Sequence, residues 1–281
     1  MAEFRPVFHL EGFDANASPK WQMVPVNGDR YVALRGGAGL TVISGSPAIV
    51  TVQEITQAQL PSTGHCRLPL ESSDRIFRLR GVAKGGARIQ ARRGTAPAAD
   101  LDVDTKYGKT LRVSFNFVSD SAGHHSSRPP ASVSEWMPII NGVFSGQSNI
   151  NIELRLVRPI TVAGDLGDQI TICQGGEEEW NRVAAPANRD RGADANFYMV
   201  WELEQTGSPT VDSLEALMSR DGACLVEDDL HGVNAVAIAH EIGHRLGVVD
   251  HYDAARSQEL MYGYPNRGTL LPKVHVNRMN P

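Results

Sequence analysis

The stretch "HEIGHRLGVVDH", His240 to His251, constrains this chain more than any other. His240 and His244 are four residues apart. On a helix they leave one face about 40° apart, close enough to share a zinc ion. Glu241 stands about 100° round from His240, beside that ion without binding it, as suits a general base. The upstream run "GVNAVAIA", Gly232 to Ala239, supports the helix. Val236, Ala239, Ile242, Gly243 and Leu246 line the side away from Glu241, and Ala235 and Ile238 widen that apolar surface. Only Asn234 and Arg245 form a polar flank, so the helix is expected to be mostly buried.

The continuation sharpens the reading. Gly247 is placed to end the helix in a left-handed conformation. Three residues on, Asp250 is placed to swing back as third ligand, leaving an open position for water. His251 is the alternative. Consecutive residues of an extended segment point to opposite sides, so Asp250 and His251 cannot both face one metal without distortion. Spacing alone leaves the choice between them open, and a His251 outside the ligand set is placed to donate a hydrogen bond near the site.

With "ELMYG" ten residues further on, "HEIGHRLGVVDHYD" resembles the metzincin zinc peptidases. Their long motif is H-E-x-x-H-x-x-G-x-x-H/D, followed by a Met-turn. With Asp250 at the last motif position, the chain is most similar to the snapalysin-like branch. The resemblance implies zinc held by His240, His244 and Asp250, with Glu241 as general base. It also implies Met261 as a hydrophobic floor rather than a ligand. Some metzincins carry a tyrosine two residues after the methionine; here that position is Gly263, between Tyr262 and Tyr264. Neither tyrosine is in register.

The chain has 281 residues, enough for two ordinary domains. At 41% hydrophobic and 21% charged it has a globular composition. A net charge of −5 gives no reason to expect nucleic acid or an anionic membrane as partner. No apolar run reaches the length of a membrane span. The N-terminus "MAEFRPVFHLEGF" lacks the basic start and apolar core of a signal peptide. The expectation is synthesis in the cytoplasm, with any export by a signal-independent secretion or injection route. Three cysteines, Cys66, Cys173 and Cys224, make no disulfide framework; buried free thiols are expected over a Cys173–Cys224 pair.

Residues 1–108 read as an all-β sandwich. "RYVALRGG", "AIVTVQEI", "RIFRLRGV" and "ARIQARRG" are short β-rich runs between turn signals. "LRGVAKGGARIQARRGTAPAADLDVDTK" resembles the closing strands of bacterial immunoglobulin-like domains. From residue 109 to 281 the pattern becomes α+β. "LRVSFNFV" is a strand and "SVSEWMPIINGVFSG" a helix, with Pro138 expected in its first turn. "NIELRLVRPI", "NFYMVWELE" and "ACLVED" are further strands before the zinc helix, and "PKVHVNRMN" is a short terminal helix. Strand, helix, strands, then active-site helix is the element order of a metzincin upper subdomain. "EEEW" (Glu177 to Trp180) and the pair His124–His125 read as solvated loops, and His231 and His275 as structural.

These readings converge on a zinc-dependent endopeptidase with Glu241 as base and a polypeptide laid along an edge strand as substrate. "ACLVED" is a candidate for that edge, with an interior strand as the alternative. The N-terminal β-domain would dock or deliver the enzyme through a protein partner. Two alternatives stay open: a zinc amidase or peptidase for cell-wall peptides, and an injected effector or carrier in which the zinc site is secondary.

Overall fold

The computed structural model describes all residues except 63–64, 173–177, 206–214 and 229–233. The fold is mostly β-sheet with a few helices. It divides into two compact units. The first comprises Met1–Lys109, Gly142–Asn151 and Leu270–Pro281; the second comprises Thr110–Asn141 and Ile152–Thr269.

Among its described residues the first unit holds nine strands: β1 (Glu3–Pro6), β2 (Phe13–Asp14), β3 (Lys20–Pro25), β4 (Asp29–Arg35), β5 (Thr41–Ser44), β6 (Val50–Ile55), β7 (Arg75–Gly81), β8 (Gly85–Arg93) and β9 (Ala96–Lys106). They form a sheet in the order β1-β4-β7-β6 and a second in the order β2-β3-β9-β8-β5. Phe4, Val32, Leu34, Phe77 and Leu79 of the first sheet share one core with Val24, Ile89, Leu101 and Val103 of the second. Period-2 alternation explains this. Phe77 and Leu79 of β7 face that core, while Ile76 between strands' faces joins Val7, Phe8 and Ala33 in a separate cluster. Sheet β2-β3-β9-β8-β5 contains one parallel pair, β3 with β9.

The second unit is built on β10 (Lys109–Asp120), β11 (Ile150–Val162), β13 (Ala195–Val200), β15 (Ala216–Met218) and β16 (Ala223–Glu227). Their order is β11-β10-β13-β16-β15. β10, β13 and β16 run parallel, and β15 returns antiparallel along β16. The interior strands are apolar on both faces: every residue of β13 ("ANFYMV") and β16 ("ACLVE") is buried. "ACLVED" is therefore the interior strand and not the edge, and among the described residues β15 is the edge. A parallel pair, β12 (Ile170–Ile172) with β14 (Leu203–Gln205), lies outside this sheet. "EEEW" is also corrected. Glu178 opens the helix α2 (Glu178–Val183), whose Trp180 is buried, while Glu177 lies outside the described residues.

Helix α1 (Val133–Ser148) covers the predicted span, but two details differ. Pro138 sits in the second turn, where its ring offers no N–H to the carbonyl four residues back. Ile139 is exposed, whereas Trp136, Ile140, Val143 and Phe144 are buried. Helix α3 (Asn234–Arg245) carries the two histidines, and α4 (Lys273–Met279) is the short terminal helix.

The division into units is not a single cut between residues 108 and 109. Within the first unit, the Leu271 N–H donates to Gln147 Oε1 (3.0 Å) and the Lys273 N–H to Asp14 Oδ2 (3.0 Å). The Asn277 side chain donates to Asp104 Oδ2 (3.2 Å), and Asn280 to the Tyr107 carbonyl (3.0 Å). A fragment 109–281 lacks Asp14, Asp104 and Tyr107. We expect limited proteolysis of that fragment to remove residues from about 270 onward while the full chain keeps them. Equal protection in the two proteins would contradict this.

Asp190 ties three segments of the second unit. It accepts from Ser114 Oγ (2.7 Å), Arg155 Nε (3.0 Å) and the Gly192 N–H (2.9 Å). The Ser114 and Arg155 hydrogen bonds hold its carboxyl down at about 2. A depressed folded-state value stabilises above the unfolded carboxyl range near 4 and loses that stability as pH falls toward 2. Asp190→Asn should therefore cost on the order of 1–2 kcal/mol at pH 7 and progressively less below pH 4, read from denaturant unfolding across pH. A cost independent of pH would point to shape rather than charge.

Candidate metal centre

Helix α3 ends in a Schellman turn. Gly247 has φ +90°, its N–H donates to the His244 carbonyl (2.9 Å), and the Val248 N–H donates to the Gly243 carbonyl (3.0 Å). This turn redirects the chain so that the Val248 carbonyl meets His244 Nδ1 at 3.0 Å. The Leu260 carbonyl meets His240 Nδ1 at 2.8 Å. A carbonyl only accepts, so both δ nitrogens carry their ring's proton and both ε nitrogens present lone pairs.

Those lone pairs converge. His240 Nε2 and His244 Nε2 are 3.1 Å apart, and Asp250 Oδ1 lies 3.0 Å from the first and 3.4 Å from the second. A tetrahedral ion with bonds of ~2.0–2.1 Å sets its ligand atoms about 3.3 Å apart, so this triangle has the size of one face of a zinc site. Asp250 Oδ1 is buried without a hydrogen-bond partner. Three facing acceptors repel one another, and a cation between them removes the repulsion. The donor set fits zinc.

His251 takes a different place. Its Nε2 is 3.3 Å from Glu259 Oε2, and its ring tilts against Tyr262. Its backbone forms a short parallel bridge: the His251 N–H donates to the Met261 carbonyl and the Gly263 N–H to the His251 carbonyl, both at 3.0 Å. That bridge holds Leu260 where its carbonyl reaches His240. Met261 is fully buried and packs on α3 at Gly243, where an added Cβ would lie 2.3 Å from the Met261 sulfur. Sequence spacing flagged Met261; the need for a bare backbone at Gly243 emerges only from this contact.

Glu241 is 5% exposed. Burial pushes its carboxyl up to about 7, against the opposing pull of His244 and Arg267. Its Oε2 lies 4.0 Å from the Sγ of Cys224, a free buried thiol that burial pushes well up. The backbone of Met218, on β15, lies near the same carboxyl and draws its pKa down slightly. Tyr262 is buried, while Tyr252 and Tyr264 are exposed and touch edge to face at 5.4 Å. Arg267 is an electrostatic neighbour of Glu241, Glu215, Asp250 and Tyr252, a residue the sequence reading did not single out. Burial lowers its guanidinium from the usual arginine range.

Asp120, His124 and Asp165 form a second group with metal-ligand chemistry. Here His124 Nδ1 is 2.9 Å from Asp120 Oδ2, and the ring stacks on Trp201. The Asp120 carboxylate raises the His124 pKa, so a shared proton accounts for the contact. Asp120 also accepts backbone N–H bonds from Ala122, Gly123, His124 and Leu166. Its oxygens brace loops, so His124 is fixed rather than loosely solvated, while His125 is exposed. His275 is buried in α4, and Cys66 is an exposed free thiol of the first unit. Cys173 and His231 lie outside the described residues, and no described helix is long and apolar enough to cross a membrane.

No protein-family model and no curated protein sequence matches the chain. Among solved structures it is similar to metalloproteinase-II from Bacteroides fragilis, at 13% identity and a TM-score of 0.39, over 90% of this chain and 91% of that one. Domains 1–6 of the surface-layer protein SbsC match 38% of this chain at 16% identity and a TM-score of 0.24, and the chain spans only 14% of that protein. An I-band fragment of titin matches 41% of this chain and 38% of its own at 9% identity and a TM-score of 0.18. Likenesses of this size carry no weight for function, which rests on the site itself.

Asp250→Ala should lower zinc affinity by well over roughly 100-fold, and His251→Ala by no more than about tenfold, as expected for a ligand and a supporting residue. Chelator competition on folded variants measures both. Tight zinc binding by Asp250→Ala with an empty site in His251→Ala would reverse the assignment.

Proposed function

We propose that the chain is a zinc-dependent endopeptidase. One observation carries the reading: His240, His244 and Asp250 point three unprotonated acceptors at a common centre, with a buried carboxyl, Glu241, beside them. Zinc held there would acidify water and polarise a substrate carbonyl. Glu241 is then the base that accepts the proton of the attacking water and returns it to the departing amine. Its carboxyl is buried next to the ligand set, where it is placed to take that proton and return it. Met261 closes the apolar side of the helix and keeps the ligand set rigid rather than joining it.

A polypeptide has a natural seat. β15 pairs with β16 on one side, and among the described residues no strand pairs with its other side. Its open main-chain groups suit an extended substrate added as a further strand. β15 packs against α3, the helix that carries Glu241, so a chain on this edge would run near the base.

Glu241→Gln should keep fold and zinc content and lose on the order of 10²–10⁴-fold in peptide hydrolysis, since it removes only the base. Turnover close to normal in the zinc-loaded variant would overturn the mechanism.

A further inference from the structure

Arg267 is a cation near the metal centre, and among the described residues no carboxylate neutralises its charge by contact. Its Nε donates to the Tyr264 carbonyl at 3.2 Å, and among the described residues no carboxylate pairs with its guanidinium. Its neighbours Glu241, Glu215 and Asp250 act on it through space only. The backbone beneath it is firmly set. The Arg267 N–H donates to the Tyr264 carbonyl (3.1 Å) and the Gly268 N–H to the Ser257 carbonyl (2.9 Å). Gly268 also lies so close to the Gln258 backbone that an added Cβ would meet it at 2.1 Å. One edge of the planar fork is thus anchored, and its terminal amino groups keep their donors for another acceptor. Such a half-engaged, part-buried guanidinium suits two-point recognition of a carboxylate. Tyr264, whose carbonyl anchors it, has an exposed ring in edge-to-face contact with the exposed ring of Tyr252.

We infer that Arg267 holds a carboxylate of the substrate next to the scissile bond and so sets specificity for acidic peptides. This rests on the peptidase reading above. The carboxylate has two sources, an acidic side chain or a free chain end. A purely catalytic role for Arg267, stabilising charge on the reacting carbonyl, is the competing outcome.

The test uses the zinc-loaded full chain and two hydroxamate probes, succinic acid monohydroxamate and its neutral monoamide counterpart, with affinities from calorimetry. Wild type should prefer the charged probe by roughly tenfold or more, Arg267→Gln should bind the two alike, and Arg267→Lys should keep part of the preference. Peptides with Glu or Gln beside the cleavage point, ending in a carboxylate or an amide, then separate the two sources through KM. Zinc content and circular dichroism check folding, and Arg267→Lys decides if Arg267→Gln does not fold. Equal binding of the probes by wild type, or an undiminished preference in Arg267→Gln, overturns the inference, as does binding of neither probe. Equal loss of kcat on acidic and neutral peptides with probe preference intact also overturns it, in favour of the catalytic role. A preference that vanishes in Arg267→Gln while no peptide is cleaved sustains the Arg267 assignment and sinks the peptidase reading.

Discussion

Each histidine of α3 has one ring proton to place, and two backbone carbonyls decide where it goes. Val248 takes the proton of His244 and Leu260 that of His240. Without those bonds either ring could present N–H to the centre, and a protonated Nε2 cannot ligate a metal. The rest of the local structure serves these contacts. Gly247 adopts the left-handed turn that carries Val248 back under the helix. The His251–Tyr262 bridge positions Leu260, and Gly243 lets Met261 close against the helix. Asp250 follows from the same turn, since a chain reversed at Gly247 returns past the imidazoles three residues later.

The electrostatics of the site follow from its burial. Glu241 and Cys224 lie in the apolar space between α3 and the sheet, where charge is disfavoured, so both are driven toward their neutral forms. Arg267 meets the opposite problem, a cation partly removed from water with no carboxylate in contact among the described residues.

The sheet shows why an edge cannot be read from a strand's composition. β16 and β15 are consecutive, and both read as short apolar segments. Which becomes the border depends on partners distant in sequence: β16 takes β13 on one side and β15 on the other. Likewise, Ile139 keeps helical spacing with buried neighbours yet points outward, because the covered arc of α1 is narrower than its apolar stripe. "EEEW" reads as solvated by charge count, but one buried ring, Trp180, is enough to seat α2.

What the sequence determined by itself is local. Fixed intervals along a helix put His240, His244 and Glu241 together, glycine's access to positive φ marks Gly247 as the stop, and period-2 runs such as "RIFRLRG" announce strands. These depend on bond geometry within a few residues. Tertiary structure decided the rest: that Asp250 rather than His251 faces the imidazoles, which carbonyls hold the ring protons, that β15 is the open edge, that Arg267 stands by the site, and that residues 142–151 and 270–281 pack with the N-terminal strands. Most of these join segments well apart in the chain, while the contacts of His244 with Val248 and Asp250 depend on how the chain turns at Gly247. A backbone carbonyl or an arginine carries no mark in the sequence of the partner it will meet, because any residue supplies the first and the fold alone supplies the second.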